Sequence, residues 1–209
     1  MRAFVLSGGA NYGAQQVGAL EVLLEFGLQP DMVMGVSAGA LNAAWLAAHP
    51  TWEGVQELAR IWREDAAASV PSVGPLTALL RLIGGRESLL SNDSLLNFIR
   101  RWSFAENMFG EFTRPHLYTV AARYDDGTLR IFGDTARSAR LTGALHRMCR
   151  VLDGLMTSTA MPPFYPPWEV DGVLYLDGGV TPRTEGGDLA SALASGDTCT
   201  HCGVALLTS

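Results

Sequence analysis

The first 48 residues place two glycine-rich turns between strands and helices, and this order limits the fold more than any other feature of the chain. Ala3 to Leu6 is an apolar run that predicts a strand, and Ser7-Gly8-Gly9 follows as a loop. The spacing of apolar residues then predicts a helix over Ala14 to Leu24, a second strand over Asp31 to Met34 and a second helix over Ala40 to Ala48. Strands that alternate with helices in this way form a parallel sheet, so the sequence predicts an α/β fold.

The rest of the chain carries further elements of both kinds. The predicted helical or apolar segments are a helix over Val55 to Arg63, a loop or short helix over Pro71 to Gly85, a helix capped by Asn92-Asp93 that runs through Trp102, and a helix over Leu141 to Leu155. The predicted extended segments are a hairpin from Leu117 to Phe132 that turns at Asp125-Asp126-Gly127, a proline-rich loop from Met161 to Pro167, and a last strand over Val173 to Leu176. No repeat or linker divides the chain, which predicts a single domain over residues 1–209.

Composition narrows the classes of function. The 209 residues are 48% hydrophobic and 17% charged, which suits a globular chain with a sizeable core. The net charge of -6 argues against nucleic acid as a partner. All 15 positive charges are arginines, so catalysis by lysine is excluded. The uncharged run from Met32 to Ala48 is shorter than the roughly 20 residues of a spanning helix, so no transmembrane segment is predicted.

A candidate nucleophile stands in the second glycine-rich turn. Gly35-Val36-Ser37-Ala38-Gly39 matches the pattern G-x-S-x-G, in which small residues let the chain turn sharply from strand to helix and expose the serine oxygen. The helix N-terminus behind Ser37 favours negative charge at this point. The alternative is a serine that only closes a tight turn.

The first glycine-rich turn, from Ser7 to Gly13, is a candidate for binding an oxyanion. Backbone N–H groups in such a loop can point together without interference from side chains. A dinucleotide-binding fingerprint is excluded because Ala10 replaces its middle glycine, and a P-loop is excluded because Ala14 stands where lysine is required. The loop therefore either binds an oxyanion or is only a tight turn.

A serine nucleophile needs a base, and Asp177 is the best-placed candidate. It ends an apolar strand and is followed by Gly178 and Gly179, in a setting where a carboxylate can accept the proton of Ser37 directly. An aspartate before glycine also commonly opens a β-turn, and Asp177 considered alone would favour that interpretation.

Two other constellations involve His201. An α/β-hydrolase would use Ser37, Asp177 and His201 as a triad, but that fold places several strands before its serine and only two precede this one. Cys199-Thr200-His201-Cys202 has the spacing of half a zinc site, yet no second pair accompanies it, so no metal site is predicted.

Taken together, three of these blocks resemble the patatin-like phospholipases, a family of lipid acyl hydrolases. The blocks are the loop from Gly8 to Gly13, the turn from Gly35 to Gly39, and Asp177-Gly178-Gly179. Similar stretches accompany them at Pro30-Asp31, at Asn42 and between Ser158 and Pro167, so the resemblance covers the chain from residue 1 to about residue 182.

The resemblance implies a three-layer α/β fold with a mostly parallel central sheet, helices on both faces and a helical insertion. It also implies a catalytic dyad in which Ser37 is the nucleophile and Asp177 the general base, with oxyanion-hole amides from Gly8, Gly9 and Ala10. The expected reaction is the hydrolysis of a lipid or simple ester through an acyl-enzyme on Ser37. No metal or cofactor is required.

The chain departs from the family pattern in two regions. The family loop reads Gly-Gly-Gly-x-Arg-Gly, whereas Ala10 replaces the third glycine here and Tyr12 replaces the arginine. A positive φ at Ala10 would be strained, and the chain after Arg183 fits the family poorly. These departures motivate the alternative function, a lipid-binding or regulatory protein that keeps the fold and has lost turnover.

The residues at about 52–112 are expected to form a helical, lid-like insertion. The apolar residues at 76–83, together with Phe98, Trp102, Phe104, Met108 and Phe109, are candidates for lining a lipid pocket or an interfacial lid. The N-terminus reaches glycines too soon for a signal peptide, so we expect a cytoplasmic protein with peripheral contact to membranes. The arginine-only composition suggests a bacterial source.

Overall fold

The fold is built around a mixed β-sheet. The computed structural model describes residues 1–69, 90–133, 145–146, 149–180 and 204–208. The strands in these ranges are β1 Arg2–Leu6, β2 Met32–Val36, β3 His116–Arg123, β4 Leu129–Gly133, β5 Leu145–His146, β6 Trp168–Val170, β7 Val173–Asp177 and β8 Val204–Thr208. Their order is β5-β4-β3-β2-β1-β8, and the hairpin of β6 and β7 joins the sheet at β3.

The strands β1, β2 and β3 are parallel to one another, and the parallel pairing of β1 with β2 is the arrangement that the sequence predicts. β1 pairs with β2 and β2 pairs with β3 in parallel, with α1 (Gly13–Glu25) and α2 (Ala38–Ala48) as connections. β4 and β5 are also parallel, whereas β8 on β1, β4 on β3, and β7 on both β3 and β6 are antiparallel. The predicted α/β fold is confirmed.

The described helices pack against one face of the sheet. Three further helices follow α1 and α2: α3 Trp52–Ser69, α4 Asn92–Arg100 and α5 Val151–Ser158. All five helices contribute to a large core cluster that includes the strand residues Phe4, Val33 and Leu117. The strand residues that alternate with these, such as Met34 and Tyr118, form a second buried cluster on the opposite face. None of the helices in the described part of the chain is long and apolar enough to cross a bilayer.

α2 lies deepest in this arrangement. Nine of its residues are buried, and its sequence AGALNAAWLAA carries no charge. A helix that is apolar nearly all round is stable only inside a core, and small alanines let it approach β2 closely. The burial of α2 fixes the position of the turn that precedes it.

Several predicted boundaries are wrong. The helix predicted over Leu141 to Leu155 begins only at Val151, because Leu145–His146 instead pairs with Ile131 and Phe132 of β4 as a short strand. A short apolar run is compatible with either a helix or a strand, and here the pairing with β4 makes these two residues a strand. The residues predicted at 141–144 and 147–148 lie outside the described part.

The predicted cap of α4 is also displaced. Ser91 is the N-cap, and its hydroxyl oxygen accepts the N–H of Asp93 at 3.1 Å. The helix ends at Arg100 rather than at Trp102, and the N–H of Trp102 donates to the carbonyl oxygen of Ile99, three residues earlier, at 2.9 Å.

The strands β6 and β8 were not predicted. β8 pairs along the whole of β1, although most of the divergent segment after Arg183 lies outside the described residues.

The predicted insertion at about 52–112 contains α3, α4 and a 3-10 turn at Phe109–Glu111. Phe98, Trp102, Phe104 and Phe109 are buried in the main core cluster. The residues at 76–83 and the rest of Pro71 to Gly85 lie outside the described part. The single-domain organisation and the lid-like role therefore stay predictions.

Candidate active site

Ser37 occupies a sharp turn between β2 and α2. Its φ of 56° and ψ of -128° lie in a region that residues with a side chain rarely adopt. The flanking glycines are required by space, since a Cβ on Gly35 would lie 2.2 Å from the carbonyl oxygen of Gly39, and one on Gly39 would lie 2.3 Å from that of Leu6. The G-x-S-x-G pattern therefore reflects a turn packed against the ends of both β1 and β2.

Hydrogen bonds hold this turn in its strained shape. The N–H of Ser37 donates to both the carbonyl oxygen and the Oγ of Ser158, at 3.1 and 3.0 Å. The Ser158 hydroxyl donates in turn to the carbonyl oxygen of Val120 at 2.6 Å. Strained residues persist only where their surroundings fix them, and Ser158 is the contact that fixes Ser37 to β3.

The sheet register brings Asp177 to Ser37 although the two residues are 140 positions apart in sequence (177 − 37). On β3, Val120 pairs with Val36 of β2, and the next residue, Ala121, pairs with Asp177 of β7. β4 occupies the other edge of β3 at these positions, so β2 and β7 share one edge. The two strands run in opposite directions and meet end to end. Ser37 and Asp177 stand at that junction.

The Asp177 carboxyl is buried and only partly hydrogen-bonded. The side chain is 1% exposed, and its Oδ1 accepts the N–H of Gly179 at 2.8 Å. Its Oδ2 has no hydrogen-bond partner of ordinary geometry among the described residues. Burial raises the pKa of Asp177, and the nearby Ser37 hydroxyl and the Gly179 N–H offset part of that rise. Oδ2 is therefore the atom available to the serine.

The glycine-rich loop closes the other side of the site. A Cβ on Gly8 would lie 3.2 Å from the Cβ of Ser37, so the loop backbone passes directly over the serine. Together the two turns and the end of β7 enclose a cavity of about 380 Å³. Its polar wall is formed by Ser7, Gly8, Gly9, Ala10, Ser37, Asp177, Gly178 and Gly179, and its apolar wall by Val36, Val120, Leu129 and Met161. All five site residues predicted from sequence, Ser37, Asp177, Gly8, Gly9 and Ala10, thus line one cavity.

Other candidate groups lie elsewhere or outside the described residues. His201 and the Cys199–Cys202 segment fall in the latter class, so the triad and half-zinc interpretations stay untested. Within the described ranges, no group of three or more potential ligand residues could hold a metal ion. Burial raises the pKa of the Cys149 thiol to about 12, which keeps it from acting as a thiolate.

A second cavity of about 300 Å³ lies at the far end of α2, against Trp45, His49, Trp102 and Phe104. It contains none of the five predicted active-site residues, but Phe98, Trp102 and Phe104, which the sequence suggested as the lining of a lipid pocket or lid, lie in its wall. Burial lowers the pKa of His49, so that histidine is mostly uncharged at neutral pH.

Comparison with known proteins decides the family. The family model of patatin-like phospholipases matches residues 4–184. The chain belongs to this family. Among curated proteins it is similar to patatin-like phospholipase domain-containing protein 7 of Rattus norvegicus, at 28% identity over 177 residues, and to the Mus musculus protein of the same name, at 27%. Those matches cover 85% of this chain but only 12% of either relative.

A solved structure shows the same fold. The chain is similar to VipD from Legionella pneumophila with a TM-score of 0.52 and 14% sequence identity. The match covers 89% of this chain and 48% of that one. The resemblance to patatin-like phospholipases and the α/β fold class predicted from the sequence are therefore confirmed. Helices were expected on both faces of the sheet, and those in the described part of the chain lie on one face.

The departures from the patatin pattern have visible consequences. Ala10 has a φ of 47°, the strained conformation that glycine would adopt freely, so the predicted strain is present. Tyr12, in place of arginine, is 72% exposed and follows the cavity-lining Ala10 by two positions.

Two contributions to the site were missed. Ser158 was recognised as part of a similar stretch, without its role as the partner of Ser37, because nothing local marks that contact. Gln16, whose side-chain amide donates to the carbonyl oxygen of Ser7 at the start of the glycine-rich loop, was not predicted at all. Its only signal is a polar residue four positions before Leu20, on the apolar face of α1.

Proposed function

We propose that the chain is a serine lipid acyl hydrolase or carboxylesterase that acts through a dyad of Ser37 and Asp177. Membership of the patatin-like phospholipase family supports a lipid acyl hydrolase activity. The observation that carries the finer proposal is the junction of β2 and β7. There the strained turn of Ser37, which lines the cavity, meets the buried Asp177 carboxyl, whose Oδ2 has no hydrogen-bond partner of ordinary geometry among the described residues. Serine needs such a neighbour because its hydroxyl is a weak nucleophile while it keeps its proton.

The proposed mechanism assigns one role to each of these groups. Ser37 Oγ attacks the ester carbonyl carbon while Asp177 Oδ2 takes its proton, and the N–H groups of Gly8, Gly9 and Ala10 donate to the developing oxyanion. The intermediate collapses to an acyl-enzyme on Ser37, and the leaving alkoxide takes the proton from Asp177. Water then gives a proton to Asp177 Oδ2 and attacks the acyl carbonyl carbon. The second tetrahedral intermediate collapses by breaking the bond to Ser37 Oγ, which takes that proton back from Asp177 as the fatty acid leaves, so the serine hydroxyl and the carboxylate are both restored.

The cavity walls support an ester with an apolar acyl chain. The cavity lining combines the polar groups of Ser37, Asp177 and the glycine-rich loop with four apolar side chains that an acyl chain can contact, those of Val36, Val120, Leu129 and Met161. Tyr12 and Phe164, 72% and 45% exposed, support peripheral contact with a lipid surface beside the cavity.

Ala10 and Tyr12 favour a second candidate, a lipid-binding or regulatory protein without turnover. A loop that misplaces its amides would bind a lipid and leave the oxyanion unstabilised. A serine-directed phosphonate distinguishes the two functions, since we expect only the hydrolase to react with it.

The test is the hydrolysis of p-nitrophenyl esters of increasing chain length. We expect turnover by the native chain, and its loss in Ser37→Ala and Asp177→Asn with the far-UV circular dichroism spectrum unchanged. Ser103→Ala and Asp125→Asn, which change exposed side chains outside the cavity, are the matched controls and should keep full activity. A native chain that folds and hydrolyses no ester would refute the hydrolase and favour the second candidate.

A further inference from the structure

Two buried side-chain amides tie both ends of the glycine-rich loop to neighbouring helices. Gln16 of α1 donates from Nε2 to the carbonyl oxygen of Ser7, where the loop begins, at 2.7 Å. Asn42 of α2 donates from Nδ2 to the carbonyl oxygen of Gly13, where the loop ends, at 2.9 Å. Gln16 is 2% exposed and Asn42 is fully buried. Each end of the loop thus has a dedicated side-chain partner.

The two amides also bond to each other, and an indole fixes their direction. Trp62 Nε1, on α3, donates to Asn42 Oδ1 at 2.7 Å. An indole N–H can only donate, so Asn42 must present its oxygen to Trp62 and its NH₂ to the loop. That NH₂ also donates to Gln16 Oε1 at 2.9 Å, which leaves the NH₂ of Gln16 for Ser7. The chain of donors therefore runs in one sense, from α3 to the start of the loop.

Such a network is costly unless every member is satisfied, because an unpaired polar group inside a protein loses its water without compensation. Apolar residues of similar size would fill the same space between α1 and α2. Within the loop, the N–H of Tyr12 donates to the carbonyl oxygen of Gly9 at 2.9 Å and the N–H of Gly13 donates to that of Ala10, and both bonds reach back only three residues. The Tyr12 side chain is directed largely to solvent.

We propose that Gln16 and Asn42 are positioning residues that hold the glycine-rich loop in the shape in which its amides meet the oxyanion. The proposal rests on the proposed hydrolase function. Neither side chain lines the cavity, so both act through the backbone of residues 7–13. Trp62 supports them from α3, both through its indole bond and through its ring, which would lie 2.8 Å from a Cβ on Gly13.

This role has a specific kinetic signature. The oxyanion forms only on the way to the tetrahedral intermediate, so a displaced loop weakens the transition state more than the bound substrate. Removal of an oxyanion donor typically lowers kcat by about 100- to 1000-fold. Because loosening the loop displaces its donors without deleting them, we expect a fall in kcat of about 10- to 100-fold with KM within about threefold.

The test compares Gln16→Leu with Gln15→Leu. The two glutamines are neighbours on α1, but Gln15 is exposed, so its variant controls for the change in helix composition. For Gln16→Leu we expect amide hydrogen exchange of residues 8–13 to accelerate about tenfold or more and kcat per titrated site to fall as above. Gln15→Leu should match the native chain in both. Trp62→Phe keeps an aromatic ring at this position and removes the indole N–H donor. It should change hydrogen exchange and kcat in the same direction as Gln16→Leu but by less, and it replaces Gln16→Leu as the test variant if that protein does not fold.

The outcomes separate this proposal from the proposed function. If the native chain turns over esters and Gln16→Leu (or, should it not fold, Trp62→Phe) matches Gln15→Leu in exchange and in kcat, the positioning role is overturned and the hydrolase stands. If no variant turns over but loop exchange accelerates only in Gln16→Leu and Trp62→Phe, the two amides hold the loop and the hydrolase function is refuted.

Discussion

The second glycine of the serine turn gives the sharpest quantitative test of this structure. A Cβ on Gly39 would lie 2.3 Å from the carbonyl oxygen of Leu6, 2.5 Å from that of Ser7 and 2.6 Å from the carbonyl carbon of Leu6. Ordinary contacts at a Cβ begin at 3.4 Å, so Gly39→Ala must move α2 away from the end of β1 by about 1 Å. All three neighbours are backbone atoms, which no change of rotamer can relieve.

That displacement should affect stability and activity together. Overpacking of this kind costs about 3 kcal/mol, which corresponds to a fall in Tm of roughly 6–12 °C for a chain of this length. A shift of about 1 Å at Ser37 should also lower kcat/KM on a p-nitrophenyl ester about 100-fold.

The control for this substitution is Gly18→Ala on the exposed side of α1. A Cβ there meets nothing within 4 Å, and alanine favours a helix over glycine by about 0.5–1 kcal/mol, so this variant should be slightly more stable than the native chain. Thermal unfolding followed by circular dichroism and initial rates measure both effects. A Gly39→Ala protein that melts within about 2 °C of the native chain and keeps its rate would show that the turn is not packed as described.

Two further predictions concern the carboxylate and the loop. Because burial raises the pKa of Asp177 in the folded chain, ionisation of this group lowers the folding stability as pH rises through that pKa. Asp177→Asn should therefore have a higher Tm than the native chain at pH 7–8. This difference in Tm should shrink as pH falls towards the ordinary aspartate pKa of 3.8. The ester hydrolysis rate of the native chain should fall over the same acid range, since the base becomes protonated, and a constant Tm difference or a flat rate profile would contradict the assignment. Ala10→Gly should change the folding stability by less than about 1 kcal/mol, because relief of the strained positive φ is offset by the flexibility of glycine in the unfolded chain. Ala10→Val places a β-branched side chain at φ 47° and should lower kcat about 100-fold. Equal rates for these two variants in a steady-state assay would show that the φ of residue 10 does not control the loop.

The parts of the fold that the sequence predicts well are those with strong local signals. β1, α1, β2 and α2 follow from apolar spacing and from glycines whose positions are dictated by close backbone contact at Gly35 and Gly39. Asp177 is the best-placed candidate base in the sequence because it ends an apolar strand before two glycines, but an aspartate before glycine also commonly opens a β-turn, so its role as the base comes from the resemblance to the patatin-like family. The contact between Asp177 and Ser37 could not be predicted from these local signals, since it arises from the shared edge of β3.

The missed features all depend on partners distant in sequence. Leu145–His146 pairs with β4 although its own residues suit a helix, and β8 is identified only by its pairing with β1. Gln16 gains its meaning from Ser7 and Asn42, which reach it from the loop and from another helix. Sequence patterns report the local environment of a residue, and these contacts are not local.

The most direct test of the central claim is peptide mapping by mass spectrometry after brief exposure to an alkyl phosphonate that carries a p-nitrophenyl leaving group. A dyad of Ser37 and Asp177 should give one adduct, on Ser37, that is absent in Ser37→Ala and forms far more slowly in Asp177→Asn. A folded native chain that carries no adduct, or carries it on a residue other than Ser37, would contradict the dyad.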